Sequence, residues 1–376
     1  MMSSEVKLWP TPYGPITQRK IFANLLKDII RTNKCVYCSA CASVCPTYAI
    51  QMLDDVPRLL GVCIKCGYCY YACPGTVEED FNGFEEYKLI DKKVFGVERT
   101  ERFGVYRKIY VVKEVKDENA FPEEAILKVI LKYGMEKGYW SAVAYAGRDE
   151  PVTEGLLSYQ VVGWKSRPSY ALKPSEVDSI KLKVFTQPPT ILGLRGIVDE
   201  LKGGFFQGVE VPSVAILGPP EHIRSIWRGR FSWAGHTKLL RTVVFMASYF
   251  HRKFFQPSKL LPILAKKGVN FNNISDVEYG DDVIKFKVGD KWVEFSFEEL
   301  EPSINKAIEE AGDMTGEYAD VSVGRVEGVE GIVIIARSEK AEEIISRMIE
   351  DGVLQRVDFD ESLVKSKLNE LYGGGS

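Results

Sequence analysis

The chain has 376 residues, 45% hydrophobic and 27% charged, with a net charge of -3; that is too long for one small core and long enough for two or three domains. The near-balanced charge gives no general attraction to nucleic acid or to an anionic membrane. No apolar run approaches the ~20 residues that cross a bilayer, and Met1–Glu5 lacks the basic and apolar regions of a signal peptide, so a cytoplasmic protein is expected, peripheral to a membrane only through a partner.

In chain order, a lead-in over residues 1–34 contains an amphipathic helix at Ile21–Ile30. Residues 35–75 hold all eight cysteines, between Cys35 and Cys73. Thr76–Glu101 is charged and reads as a linker or docking surface. Lys108–Val115 reads as a strand. Pro122–Lys137 reads as a helix, with Pro in its first turn and Gly138 as its C-cap. A strand at Ser141–Tyr145 completes a βαβ-type unit. Further on come a helix at Gly193–Leu201, a strand at Val211–Leu217 and a helix starting at Glu221–Trp227. Leu239–Phe245 is apolar. Val277–Phe297 alternates as a hairpin across Val288-Gly289-Asp290, strands are expected at Ala319–Val323 and Gly331–Ala336, and Ser338–Met348 reads as a closing helix. Gly373–Ser376 resembles a linker scar. The fold class is α+β: a ferredoxin-like dicluster domain (1–90), then an α/β body of mixed sheet flanked by helices (91–180 and 181–372).

Eight thiols concentrated in one short segment of a large chain point to metal, since a disulfide scaffold spreads its bridges over a small secreted protein. Cys35-Val-Tyr-Cys38-Ser-Ala-Cys41-Ala-Ser-Val-Cys45-Pro46 and Cys63-Ile-Lys-Cys66-Gly-Tyr-Cys69-Tyr-Tyr-Ala-Cys73-Pro74 are each a C-x2-C-x2-C-x3-C-P run. Three cysteines in such a loop take three corners of a 4Fe-4S cubane, and the fourth reaches the other cluster. Cys35, Cys38, Cys41 and Cys73 are therefore assigned to one cluster, and Cys63, Cys66, Cys69 and Cys45 to the second. Structural zinc sites prefer two C-x2-C knuckles per ion and fit this spacing poorly. Ser39, Ala40, Ala42 and Gly67 are small enough to let peptide N–H groups approach the sulfurs, and Tyr68, Tyr70 and Tyr71 are expected to pack around the second cluster.

From this segment onward the chain resembles the beta-subunit family of coenzyme F420 hydrogenases and dehydrogenases. The resemblance rests on Ala125–Val143 (AILKVILKYGMEKGYWSAV), Val214–Trp227 (VAILGPPEHIRSIW), Gly312-Asp313 and Ala319–Gly324 (ADVSVG). It implies an α/β body that normally holds FAD and passes electrons between one-electron clusters and a two-electron deazaflavin. It also implies Gly218, Asp320 and Gly324 as flavin-site residues, and other hydrogenase- or dehydrogenase-type subunits as partners. The chain departs from the pattern at three places. Glu123-Glu124 stand where a Gly-Gly helix start is common, and two carboxylates there would repel a pyrophosphate. Gly218-Pro219-Pro220-Glu221 replaces a Gly-Thr-Pro-Cys turn, and Ala307–Ala311 (AIEEA) lacks a late Cys-x-x-Cys.

Each of these features also has an ordinary structural reading. Acidic residues favour a helix N-terminus through its dipole, Gly-Pro-Pro makes a rigid turn, and Asp320 can cap a strand. His222 can be a hydrogen-bonded core histidine, and Phe250–Phe255 (FHRKFF) can be core or a docking patch. No catalytic residue is identified. Two functions follow: an iron–sulfur electron-transfer subunit of an oxidoreductase complex, relaying electrons to or from a flavin or deazaflavin-type acceptor, or a non-catalytic iron–sulfur adaptor that has lost flavin and docks a hydrogenase or dehydrogenase partner.

Overall fold

The computed structural model describes residues 20–53, 56–76, 86–148, 164–200, 212–231 and 238–372; Gly373–Ser376 and residues 1–19 lie outside them. A helical turn at Phe22–Leu25 runs on as a π-helical segment, Leu26–Ile30. Its apolar face of Phe22, Leu25 and Ile29 joins Ile50, Met52, Tyr70 and Tyr71 in a small core around the cysteines. The cysteine segment contains two short helices, Ala40–Ser43 and Tyr68–Tyr71. Between them lies an antiparallel pair, β1 (Ile50–Leu53) and β2 (Val56–Leu59). The described part of Thr76–Glu101 is no free linker. Glu86–Leu89 and Ile90–Phe95 are helical and bury Ile90, Asp91 and Phe95, and Asp91 accepts a 2.8 Å bond from Arg99 Nε.

The body continues with β3 (Lys108–Val112), the helix Pro122–Glu136, β4 (Ala142–Arg148) and β5 (Ser166–Ala171). Next come the helix Thr190–Glu200, β6 (Val214–Gly218), the helix Pro220–Phe231 and β7 (Val243–Tyr249). The expected apolar element at Leu239–Phe245 is thus two, a helical turn at Lys238–Arg241 and the start of β7. The hairpin signal is a three-stranded meander: β8 (Ile274–Tyr279), β9 (Val283–Val288) and β10 (Lys291–Ser296). Gly289, at φ +59°, makes the tight turn. The meander packs with the helix Pro257–Ala265 on a separate aromatic core that includes Phe185, Phe255 and Phe286. β11 (Val321–Gly324) and β12 (Ile332–Ala336) complete the strands, followed by the helices Glu339–Glu350 and Glu361–Glu370.

Seven strands form the main sheet in the order β3-β12-β11-β7-β6-β4-β5. β11, β7, β6 and β4 run parallel, flanked by antiparallel β12 and β5, with β3 antiparallel to β12 at the edge. The parallel centre is covered on both faces, so its strands are apolar throughout: Val214, Ala215, Ile216 and Leu217 are all buried. The βαβ-type expectation needs correction. β3 and β4 are parallel, but four strands separate them, and the intervening helix packs over β7 and β11. Local alternation says where a strand is, not which strand it pairs with; β3 pairs with β12 because both its faces need cover. Tyr110 and Val112 join the central core, while Ile109 and Val111 meet Val364 and Leu368 of the last helix. That last helix, β5 and Pro257–Ala265 carried no clear sequence signal.

The helix Pro122–Glu136 ends as expected, with Gly138 at φ +75° just past its C-cap Lys137. Inside it, a Cβ on Gly134 would lie 1.9 Å from the ring of Trp140. Trp140 is fully buried and donates from Nε1 to Leu131 O at 3.0 Å, so its ring has nowhere to go. Alanine gains about 1 kcal/mol of helix propensity, but overpacking costs about 1–3 kcal/mol, and a contact this short sits at the upper end. Gly134→Ala is expected to lower unfolding free energy by about 2 kcal/mol in urea titrations; a stabilised variant would show that the tryptophan yields.

Candidate metal centre

The two cysteine loops share one backbone path. Tyr37 and Lys65, each just before the second cysteine of its loop, have φ of +56° and +58°. Ser39 and Gly67, just after it, have φ of +65° and +84°. Two left-handed steps around the middle cysteine, followed by a helical turn, aim three thiols spaced by three residues inward. A left-handed non-glycine residue costs about 1–2 kcal/mol, so Tyr37, Ser39 and Lys65 record a constraint that the surroundings must hold in place.

Cys35, Cys38, Cys41 and Cys73 line one small enclosed cavity, with apolar walls from Leu25, Ile29, Val36 and Met52. Three of these thiols come from the first loop and one from the second. Burial, reinforced by Cys73, pushes the Cys35 thiol up to about 12. The same burial raises Cys38 and Cys41 well above the usual thiol range. Cys69 is raised too, by burial first and then by Cys66, Cys45 and Cys63. Two sets of thiols thus repel one another as anions, and each set includes the last cysteine of the opposite run. Such groups become thiolates when a cationic group compensates them, as in metal ligation. Amides already point at the sulfurs: Ala40 N lies 3.5 Å from Cys38 Sγ. Backbone N–H groups of Tyr37 reach Cys35, and those of Gly75 and Thr76 reach Cys73. Four thiols, three buried and Cys35 partly so, in a small apolar cavity with N–H···S contacts fit an iron–sulfur cubane.

The body grips the first loop by its backbone. Ile191 N donates to Cys38 O at 3.1 Å, Leu192 N to Ser39 Oγ at 2.9 Å and Asn305 Nδ2 to Cys35 O at 2.9 Å. His222 is fully buried, with Nε2 3.0 Å from Val36 O and Nδ1 3.1 Å from Thr190 Oγ1. A carbonyl only accepts, so Nε2 carries the proton and Nδ1 accepts from the threonine. Burial pushes the ring down to about 3, which keeps it neutral in this role. Arg228, also buried, donates to Cys73 O at 3.2 Å and to Thr76. Tyr70 and Tyr71 are buried among the cysteines, whereas the half-buried Tyr68 packs against the central core of the body.

The three residues suggested for a flavin site are tied up in packing contacts. Ser248 Oγ donates to Gly218 O at 2.9 Å, and a Cβ on Gly218 would lie 2.9 Å from Thr190. Asp320 accepts from Met246 N at 2.7 Å, joining the residue before β11 to the middle of β7. A Cβ on Gly324 would fall 2.1 Å from the Phe250 ring. Glu123 and Glu124 are ion-paired to one guanidinium: Arg252 reaches Glu123 Oε1 at 2.7 Å and Glu124 Oε1 at 2.9 Å. Arg252 lies over the rings of Phe121 and Tyr249. This helix start already has its anion, and Glu124, 1% exposed, leaves no room for another; it does not fit a dinucleotide phosphate. Phe254 and Phe255 of FHRKFF are core. Arg252 was invisible in the sequence, where nothing marks one arginine of a basic-aromatic run as the partner of a distant helix start.

Two clefts open on the body, and the second adjoins the cysteine loops. One, about 580 Å³, lies at the start of Pro122–Glu136 and is lined by Phe121, Glu123, Lys183, Arg252 and Tyr279. The other, about 490 Å³, lies between the exits of both cysteine loops and the start of Pro220–Phe231, with Lys34, Val36, Thr76, Glu221 and Arg224 on its walls. Glu221 is 2% exposed, its Oε1 has no hydrogen-bond partner, and burial pushes its carboxyl up to about 8. Unfolded, the group loses its proton near 4.5; folded, it keeps it to about 8. The unfolded chain therefore binds fewer protons between these values, and stability falls as pH rises through that window. Glu221→Gln is expected to remove this loss, by up to several kcal/mol at pH 8 relative to pH 4.5, in anaerobic denaturant titrations at both pH values. Parallel stability profiles for the two proteins would show that the carboxyl is ionised throughout.

Comparison with known proteins agrees with this layout. Residues 27–80 match the model of a 4Fe-4S dicluster domain, and residues 211–362 match that of the C terminus of the coenzyme F420 hydrogenase/dehydrogenase beta subunit. The beta subunit of coenzyme F420 hydrogenase from Methanococcus voltae is 24% identical over 248 residues, spanning 64% of this chain and 85% of its own. An uncharacterized protein of Methanocaldococcus jannaschii is 21% identical over 386 residues, spanning 93% of this chain and 97% of its own. A chain of the F420-reducing NiFe hydrogenase complex of Methanosarcina barkeri shares the fold at a TM-score of 0.59 and 15% identity, covering 73% of this chain and 91% of that one. Among the described residues, no helix is long and apolar enough to cross a membrane. The chain is thus similar to the coenzyme F420 hydrogenase/dehydrogenase beta-subunit family over its C-terminal part and to 4Fe-4S dicluster domains over its N-terminal part.

Proposed function

We propose that this chain is the iron–sulfur electron-transfer subunit of a hydrogenase- or dehydrogenase-type complex in the cytoplasm, peripheral to a membrane only through a partner. Cys35, Cys38, Cys41 and Cys73 would hold one 4Fe-4S cluster, and Cys63, Cys66, Cys69 and Cys45 a second. The observation that carries the reading is the closed cavity in which Cys73 of the second run completes the thiols of the first. Bound clusters supply one-electron chemistry. The chain's own residues set their surroundings. Leu25, Ile29 and Met52 keep water from the first set of thiols, and His222, Asn305 and Arg228 fix that loop on the body.

The 490 Å³ cleft beside Val36 and Thr76 supports a flavin or deazaflavin-type acceptor close to the first thiol set. A second reading is favoured by the pairing of Arg252 with Glu123 and Glu124. Here the body is a non-catalytic adaptor: it binds no FAD at that helix start, and its role is to dock a hydrogenase or dehydrogenase partner.

Anaerobically reconstituted protein is expected to hold about eight irons. Paired serine variants then test the crossed assignment. Cys41→Ser with Cys73→Ser strikes one cluster and should leave about four irons, whereas Cys69→Ser with Cys73→Ser strikes both and should leave almost none. The opposite ranking would reject the crossing.

The adaptor reading has its own test. Glu123→Gly with Glu124→Gly strips the carboxylates and leaves Arg252 at a helix N-terminus, where it can meet phosphate; FAD affinity measured by fluorescence quenching should rise about tenfold or more. Stoichiometric FAD released from denatured wild-type protein would dismiss the adaptor.

A further inference from the structure

Four exposed large apolar side chains fall between positions 59 and 64: Leu59 at 41% exposure, Leu60 at 56%, Val62 at 80% and Ile64 at 56%. They run from the end of β2 into the second cysteine loop. This is not a loose strand end. Leu60 N and Gly61 N both donate to Ala49 O, at 2.8 and 3.1 Å, and Thr47 Oγ1 donates to Val62 O at 2.9 Å. At Gly61 a Cβ would lie 3.0 Å from Ala49 Cα, so the backbone is pressed close there. The main chain is pinned inward, and the apolar side chains face solvent. Fixed apolar side chains clustered on a surface mark an interaction site more often than isolated ones do.

The location supplies the rest. Cys63 and Cys66 are only partly buried, as is Cys35 of the first run, whereas Cys38, Cys41, Cys45, Cys69 and Cys73 are buried. Val62 and Ile64 of the patch flank Cys63, and Cys66 follows two residues later, so the patch adjoins the two partly buried thiols of the second set. From Val56 to Cys66 the only charged residues are Arg58 and Lys65, and both are exposed; Asp54 and Asp55, just before, lie outside the described residues. Two exposed cations beside an apolar centre, on a chain of net charge -3, are locally complementary to an acidic partner.

Building on the electron-transfer reading above, we propose that Leu59, Leu60, Val62 and Ile64, rimmed by Arg58 and Lys65, form the docking face for an acidic one-electron carrier protein that exchanges electrons at the second thiol set. One electron crosses per encounter: the carrier is oxidised by one as this chain is reduced by one, or the reverse, and no proton or bond need move. Apolar contact brings the two proteins close, and the charges steer the approach.

The test uses the full-length, reconstituted protein with a purified, reduced acidic two-cluster ferredoxin as the carrier, followed by stopped-flow absorbance. The second-order rate should fall as NaCl is added. It should drop about tenfold or more in Leu60→Glu with Val62→Glu, and again in Arg58→Gln with Lys65→Asn. Iron content and reduction by dithionite, which needs no docking face, should stay at wild-type levels in both, and Trp292→Ser, an exposed aromatic elsewhere, should leave the ferredoxin rate unchanged. Wild-type ferredoxin rates in both patch variants would overturn the proposal. So would a wild-type dimer in sedimentation that Val62→Glu dissociates, since the face would then belong to a second copy. Protein that dithionite does not bleach would remove the iron–sulfur reading and this proposal together.

Discussion

Carbonyl groups of the cysteine segment are bonded to donors from the body: Cys35 O to Asn305, Val36 O to His222, Cys38 O to Ile191 N, and Cys73 O to Arg228. These bonds are made in the buried seam between two parts of the chain, where an unmade one costs about 1–3 kcal/mol. They also hold Tyr37 and Ser39 in left-handed conformations that neither residue prefers. The first loop is thereby locked in the geometry that its thiols require. The ferredoxin-like segment is part of one hydrogen-bonded seam that positions its thiols relative to the body.

That seam gives the metal centre an inside and an outside. The first set of thiols faces the body, enclosed by the N-terminal helix and next to the cleft that Glu221 closes. The second set includes the partly buried Cys63 and Cys66, beside the exposed Val62 and Ile64. The buried ionic cluster nearby serves a different end. Arg252, held between Glu123 and Glu124 over Phe121 and Tyr249, offsets one of the two charges that these carboxylates would otherwise place at a helix start. The chain thereby closes this helix start with its own side chains.

The legible parts of the sequence were the local ones. Paired Cys-x2-Cys-x2-Cys-x3-Cys-Pro runs fix loop geometry within twelve residues, and Cys35, Cys38, Cys41 and Cys73 line one cavity. The helix at Pro122 and the turn at Gly289 were equally readable, because a proline start, a glycine stop and strand alternation are contained in the segments themselves. What stayed hidden was long-range. β3 pairs with β12 rather than lying beside β4, and β5, interrupted by Pro168, reads as no strand at all. Asp320 and Gly324 sit in a motif that suggested a cofactor, yet one ties β11 to β7 and the other makes room for Phe250. A motif's residue types tell which groups are available; only the fold tells what they touch.

The central claim is that each thiol set is completed by the last cysteine of the other run, and an anomalous-scattering map at the iron edge from an anaerobically grown crystal tests it most directly. Two separate iron clusters are predicted, one bounded by Cys35, Cys38, Cys41 and Cys73 and the other by Cys63, Cys66, Cys69 and Cys45. Single ions between the thiols, or clusters each held by four cysteines of one run, would contradict it.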